Sequence, residues 1–317
     1  MILSVSRRTD IPAFYSDWFF YRLKEGYVYV KNPFNTKQIS KIELNTHIVD
    51  CFVFWTKDPL PMMNRLDELR EYNYYFQFTL TSYRKDVETN IRSKKDIIKT
   101  FKTLSNNIGK EKVIWRYDPI LINDFYTKEY HYKWFEKFAS ELSNYTNKCV
   151  ISFLDLYKKT ERNTKELNII KLNEKDIYEI AERFSNIGKE YNIDIETCSE
   201  AIDLSHYGIK KGKCIDDTLI SEIIDSKIDI KKDDTQREVC GCVKSVDIGQ
   251  YNTCKHNCLY CYANFNYKQV EQNSNKHIKK SPLLVGVPCG DEKITVRKLK
   301  SIKSNKKDGI IQLKLNI

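Results

Sequence analysis

Arg237–Asn264 reads REVCGCVKSVDIGQYNTCKHNCLYCYAN and holds five of the ten cysteines of the 317-residue chain. Cys254, Cys258 and Cys261 are spaced C-x3-C-x2-C, with Tyr260 directly before the third. On one tight loop that spacing aims three thiolates at one point. Three thiolates can hold three irons of a cubane 4Fe–4S cluster and leave the fourth iron open to a small molecule. Soft sulfur donors select iron–sulfur or zinc over harder ions. His256 lies inside the loop, so a zinc site on Cys254, His256, Cys258 and Cys261 is the competing reading. Zinc ligands usually come as two pairs on separate turns, and a histidine between two of the cysteines would strain a short loop. The stretch therefore reads as a cysteine-rich segment that closes off whatever fold precedes it.

Upstream, short apolar, β-branched runs alternate with helical patterns. Strands are expected at Ile2–Ser6, Tyr27–Lys31, Val49–Trp55, Tyr74–Thr81, Lys112–Tyr117, Cys149–Leu154 and Ile193–Cys198. Amphipathic segments fall between them, among them Tyr15–Lys24, Pro61–Glu71, Lys94–Leu104, Lys128–Leu142 and Glu174–Tyr191. Continuous apolar runs suit a parallel sheet covered on both faces. Repeated strand–helix units without a Gly-x-Gly-x-x-Gly turn give the expectation of an α/β fold, a partial TIM-like α/β barrel closed by the C-terminal iron–sulfur segment. The division expected is a barrel over 1–236, a cluster segment over 237–275 capping its mouth, and a basic extension over 276–317. Within that extension Ser281–Gly286 is expected to dock and Lys293–Lys307 to stay solvated.

Barrel chemistry belongs at the C-terminal strand ends, and there the chain gains charge. The first run empties into Ser6-Arg7-Arg8-Thr9-Asp10, the third into Thr56-Lys57-Asp58-Pro59 and the fifth into Arg116-Tyr117-Asp118-Pro119. Arg7, Arg8 and Arg116 are candidates to clamp a carboxylate or phosphate. Asp10, Asp58 and Asp118 are candidates for ribose hydroxyls or an amino group, and Lys57 joins the set. Tyr117 or Tyr262 is a candidate relay. Any one of them can instead be an ion pair or turn former.

Four cysteines remain outside the triad, Cys198, Cys214, Cys240 and Cys242, the number that a fully ligated cluster or a structural zinc requires. Cys51 and Cys149 lie within apolar runs and read as buried thiols.

The formal net charge is +10. Lys276–Ile317 holds eleven Lys/Arg against three Asp/Glu, which is +8 and leaves +2 for the rest. A basic tail can bind nucleic acid, though most such runs are solvated. No signal peptide or long apolar window is evident, so a cytoplasmic protein is expected, whose clustered cysteines serve metal or catalysis rather than disulfides.

The C-x3-C-x2-aromatic-C pattern resembles the cluster motif of radical S-adenosylmethionine (SAM) enzymes, and Cys261-Tyr262-Ala263 is similar to the spore photoproduct lyase side of that superfamily. Over about residues 1–290 the chain also resembles an uncharacterised prokaryotic family that opens on Ser-Arg-Arg-Thr-Asp-Ile-Pro and ends in a cysteine-rich segment. The resemblance implies a 4Fe–4S cluster on Cys254, Cys258 and Cys261, with SAM beside Tyr260, Tyr262 and Asn264. It also implies ferredoxin or flavodoxin as electron donor. SAM cleavage would then yield a 5′-deoxyadenosyl radical acting on an unidentified substrate. Two features depart from the pattern: the motif follows every strand identified, and the chain has no Gly-Gly pair to receive the SAM amino group. Two alternatives stand beside it. One is an iron–sulfur electron-transfer or nucleic-acid-repair protein that uses no SAM, and the other is a barrel hydrolase with a zinc-stabilised cap.

Overall fold

Whether a run becomes a central or an edge strand depends on what covers its two faces. The structure, a computed structural model, describes residues 1–155 and 158–304. Its strands are β1 (Ile2–Val5), β2 (Tyr27–Asn32), β3 (Asn35–Glu43), β4 (Cys51–Thr56), β5 (Tyr74–Thr79), β6 (Val113–Ile120), β7 (Lys148–Phe153), β8 (Asp194–Thr197), β9 (Lys210–Lys211), β10 (Val246–Asp247) and β11 (Lys293–Val296). Eight of them form one sheet in the order β10-β1-β4-β5-β6-β7-β8-β9, with every pairing parallel. The fold is thus α/β on a large parallel sheet.

Alternate residues of a strand face opposite sides, and the two sides of this sheet carry different cores. Leu3, Phe52, Phe54, Phe76, Phe78, Trp115, Tyr117 and Ile151 pack beneath the helices Ser16–Glu25, Lys94–Ile108, Lys128–Leu142 and Glu174–Glu190. Their neighbours Ile2, Cys51, Val53, Tyr75, Ile114 and Val150 face the other way. They are covered by Cys214, Ile215, Ile220, Ile224, Cys240, Cys242 and Val243. Helices therefore roof one face, and the cysteine-bearing segment closes part of the other. Among the described residues, no helix is long and apolar enough to cross a membrane.

Two expectations are corrected here. Tyr27–Lys31 is not a strand of the large sheet. It pairs antiparallel with β3 across the tight Pro33-Phe34 turn, and β11 adds a parallel third strand. The expected free run from Lys293 instead begins as a strand, since Lys293–Val296 is β11, exposed but paired with β3, and beyond it the Ile302 amide donates to the buried Asp50 carboxylate (2.8 Å). Residues 305–307 of that run lie outside the described residues. In the Ser281–Gly286 stretch the Ser281 carbonyl accepts from the Trp18 indole (2.9 Å).

The expected cap is also part of the sheet. β10, inside 237–275, pairs in parallel with β1 at the sheet edge. The join is polar. The Asp247 carboxylate accepts from Ser4 Oγ (2.9 Å), Ser6 Oγ (2.7 Å), the Arg7 amide (2.8 Å) and the Gly249 amide (2.9 Å). Gly249 is required for the close approach, because a Cβ there would lie 1.9 Å from Ser6 Oγ and 2.6 Å from Ser6 Cβ.

Removing the shared acceptor strands several donors at once. Asp247→Ala should therefore lower stability by about 3 kcal/mol, the scale of losing bonds to a charged group. Urea unfolding of the variant beside the wild type checks this, and an unchanged midpoint would show that β10 is not held by this carboxylate.

Candidate functional site

Parallel strands all end on the same side, so the loops that follow them converge. At that end lies a cavity of about 720 Å³, lined by residues from the ends of β1, β4, β5, β6, β7 and β8 and from the C-terminal segment. Cys254, Cys258 and Cys261 line it, and so do Cys198, Cys214, Cys240 and Cys242. All seven are free thiols.

The loop carrying the triad begins directly after β10. It turns at Asn252 and Asn257, both left-handed at φ 57° and 54°, a conformation that asparagine tolerates better than most residues. The Asn252 amide donates to the Ala263 carbonyl (2.9 Å), and Asn264 Nδ2 donates to the Cys254 carbonyl (2.7 Å), which closes the loop on itself. The loop is also sewn to the segment after β5. The Leu259 amide donates to the Val87 carbonyl, the Asn90 amide donates to the His256 carbonyl, and Cys258 bridges Glu88. Burial pushes the Cys258 thiol up to about 12, with Lys57 opposing, and pushes Cys254 well above the ordinary thiol value.

Glu88 is the hub of this corner. Its buried carboxylate takes hydrogen bonds from Lys57 Nζ (2.7 Å), Lys94 Nζ (2.6 Å), Thr81 Oγ1 (2.7 Å) and the Tyr260 hydroxyl. Burial alone would raise the Glu88 carboxyl. The two ammonium groups overcome it and hold the carboxyl far below the usual carboxylate range. Burial likewise disfavours the Lys57 ammonium, but Glu88 overcomes it and leaves Lys57 holding its proton more tightly than usual. Lys57 Nζ also sits over the Tyr260 ring, 5.4 Å from its centre.

The other expected residues divide. Arg8 lines the cavity, lies 5.2 Å over Tyr251 and is 3.9 Å from Asp247. Asp10 lines it too, but its carboxylate is occupied. It accepts from the Ala13 amide (2.9 Å), from the Lys57 amide (2.7 Å) and bonds His256 Nε2 (2.8 Å). Arg116 and Asp118 line the cavity as a mutual pair, and Arg116 Nη1 also reaches Gln77 (3.1 Å) and Cys214 Sγ (2.8 Å). Neither is a free clamp. Tyr260 and the half-exposed Tyr262 line the wall, and the Tyr262 hydroxyl donates to the Arg7 carbonyl (2.7 Å).

Three expected residues do not line the cavity. Asp58 is turned away and grips Arg92 through both oxygens. Tyr117 faces the helical layer, where its hydroxyl meets Ser82 Oγ (2.9 Å) and His131 Nδ1 (2.7 Å). Strand alternation is the reason, since Arg116 faces the cavity and its neighbour must face away. Asn264 lies behind the loop as its brace. Sequence reasoning missed Glu88 and Asp247; nothing in Arg84-Lys85-Asp86-Val87-Glu88 separates the last residue from the solvated Arg84, Lys85 and Asp86.

The donor set is of the kind that soft metals take. Three thiols converge on one cavity from one loop, with no disulfide between them. His256, the fourth donor of a zinc reading, bonds Asp10 through Nε2, and among the described residues its buried Nδ1 has no partner, so the histidine is braced as a metal ligand would be. Among the described residues, no group of three or more His, Cys, Asp or Glu is arranged to hold one metal ion.

Residues 2–263 match the family described as Domain of unknown function (DUF1848). No curated protein and no solved structure matches the chain.

Glu88→Gln leaves two buried ammonium groups short of their counter-charge and should cost about 3 kcal/mol at pH 7, as breaking a buried pair does. The folded carboxyl lies below its ordinary value of 4.5, so its stabilisation is complete above pH 4.5 and is lost as pH falls below it. The gap between the urea midpoints of wild type and variant should therefore narrow steadily as pH falls below 4.5, with part of it remaining at about pH 3. A gap that stays constant with pH would mean that Glu88 does not act through its charge.

Proposed function

The chain belongs to this family of unknown function, and from that premise we propose that it is a radical SAM-type iron–sulfur enzyme. Cys254, Cys258 and Cys261 would hold a 4Fe–4S cluster with one iron open to the cavity. The observation that carries the reading is the position of the motif. The C-x3-C-x2-C loop follows β10, an edge strand of a parallel sheet, and its three thiols face a cavity at the C-terminal strand ends. The motif is last in sequence, yet its strand lies beside β1 in space. On this reading the eight parallel strands are a partial barrel, and residues 237–275 form its iron–sulfur wall.

Such a cluster, reduced by a ferredoxin or flavodoxin and carrying SAM, supplies the reductive cleavage of SAM to a 5′-deoxyadenosyl radical. The chain's own residues have simpler tasks. Lys57 and Glu88 fix the Tyr260 ring against the thiol loop, and the backbone bonds around Cys254 and Cys261 hold the loop before any ligand enters. Arg7 and Arg8 contact carboxylates at 3.9 Å, so both can turn toward the carboxylate of a bound cofactor or substrate.

The test is anaerobic reconstitution with iron and sulfide, followed by SAM and dithionite. The wild type should form 5′-deoxyadenosine, and Cys258→Ala should form at least 100-fold less. Equal product from both proteins would sink the proposal.

A further inference from the structure

Four cysteines outside the triad loop meet on one wall of the same cavity. Cys198 follows β8, Cys214 follows β9, and Cys240 and Cys242 lie just before β10. We infer that these four form a second site, a fully thiolate centre for a soft metal, either iron–sulfur or zinc. The inference stands apart from the role proposed for the triad.

Chance burial does not bring such a set together. Single core thiols behave as small hydrophobes, as Cys149 does beneath the helices and Cys51 does on the opposite face. The four here instead contact one another. Cys198 Sγ lies 3.1 Å from Cys214 Sγ, and Cys242 is within hydrogen-bond reach of both Cys214 and Cys240. Two of the sulfurs accept from fixed donors. Arg116 Nη1 reaches Cys214 Sγ at 2.8 Å, and the Ile215 amide reaches Cys242 Sγ at 3.4 Å. Arg116 is held in turn by Gln77 and Asp118, so its charge stays on the sulfur side of the sheet. A cation and a peptide N–H directed at sulfur stabilise thiolate, and donors of this kind tune metal-bound sulfur.

As thiols, Cys198 and Cys214 share a hydrogen at 3.1 Å, closer than two ligands of one ion. Two thiolates on one tetrahedral zinc, each about 2.3 Å from it, would stand about 3.8 Å apart. Loading would release the thiol protons and replace the shared hydrogens by metal. With four thiolates in place no coordination position is left for substrate, so this centre would relay electrons or brace the wall rather than bind the reactant.

The test uses the full chain purified anaerobically. Cys254→Ala/Cys258→Ala removes the triad centre and should still carry metal. Iron with matching acid-labile sulfide would identify a cluster, and zinc without sulfide a zinc site. Adding Cys198→Ala/Cys242→Ala should lower that metal at least tenfold. The inference is overturned if the first variant, folded by circular dichroism, binds neither metal, or if the second keeps it. Should the second variant misfold, alkylation of the wild type decides. The four thiols should resist iodoacetamide until the metal is stripped. Equal labelling beforehand, or a Cys198–Cys214 disulfide in the anaerobic protein, overturns the inference.

Discussion

One carboxylate joins the start of the described chain to its cysteine-rich end. Asp247 takes hydrogen bonds from Ser4, Ser6 and the Arg7 amide on one side and from the Gly249 amide on the other. A two-residue strand has little pairing energy of its own, so β10 needs this anchor to stay on β1. The triad loop starts immediately beyond it. Its far side is held by contacts from Val87, Glu88 and Asn90, while Asp10 grips His256 from beneath. A loop clamped at root and tip presents its thiols in one arrangement, which is the condition for a preorganised site.

Much of this fold could be read in the sequence, for a physical reason. CFVFWT at β4 and YYFQFT at β5 are apolar on both faces because helices cover one and the 214–243 segment covers the other. What escaped were elements whose stability comes from distant partners. β10 is only Val-Asp and β9 only Lys-Lys, and neither carries a pattern. β11 is fully exposed in its burial pattern and pairs with β3 more than 250 residues earlier. Tyr27–Asn32 has the residues of a strand but not of a central one, and the Asn32-Pro33-Phe34-Asn35 turn marked a hairpin that went unread.

The candidate site was legible to the extent that its chemistry is local. The triad and the Arg7-Arg8 loop reach the cavity because spacing and strand ends place them there. Where a partner decides a residue's role, sequence was silent. Asp58 belongs to Arg92, and Asp10 to His256. Tyr117 was excluded by the two-residue period of its own strand, a signal present in the sequence and overlooked. Glu88 carried no mark. Its importance arises only when Lys57, Lys94 and Tyr260 close on it from three parts of the chain.

The central claim is that three thiols on an edge-strand loop hold a cluster with one iron open to the cavity. Electron paramagnetic resonance of the anaerobically purified, dithionite-reduced chain tests it most directly, recorded before and after addition of SAM. A reduced-cluster signal whose g-values shift on addition of SAM is the expected result. A signal that SAM leaves unmoved, or a protein without iron, would contradict the claim.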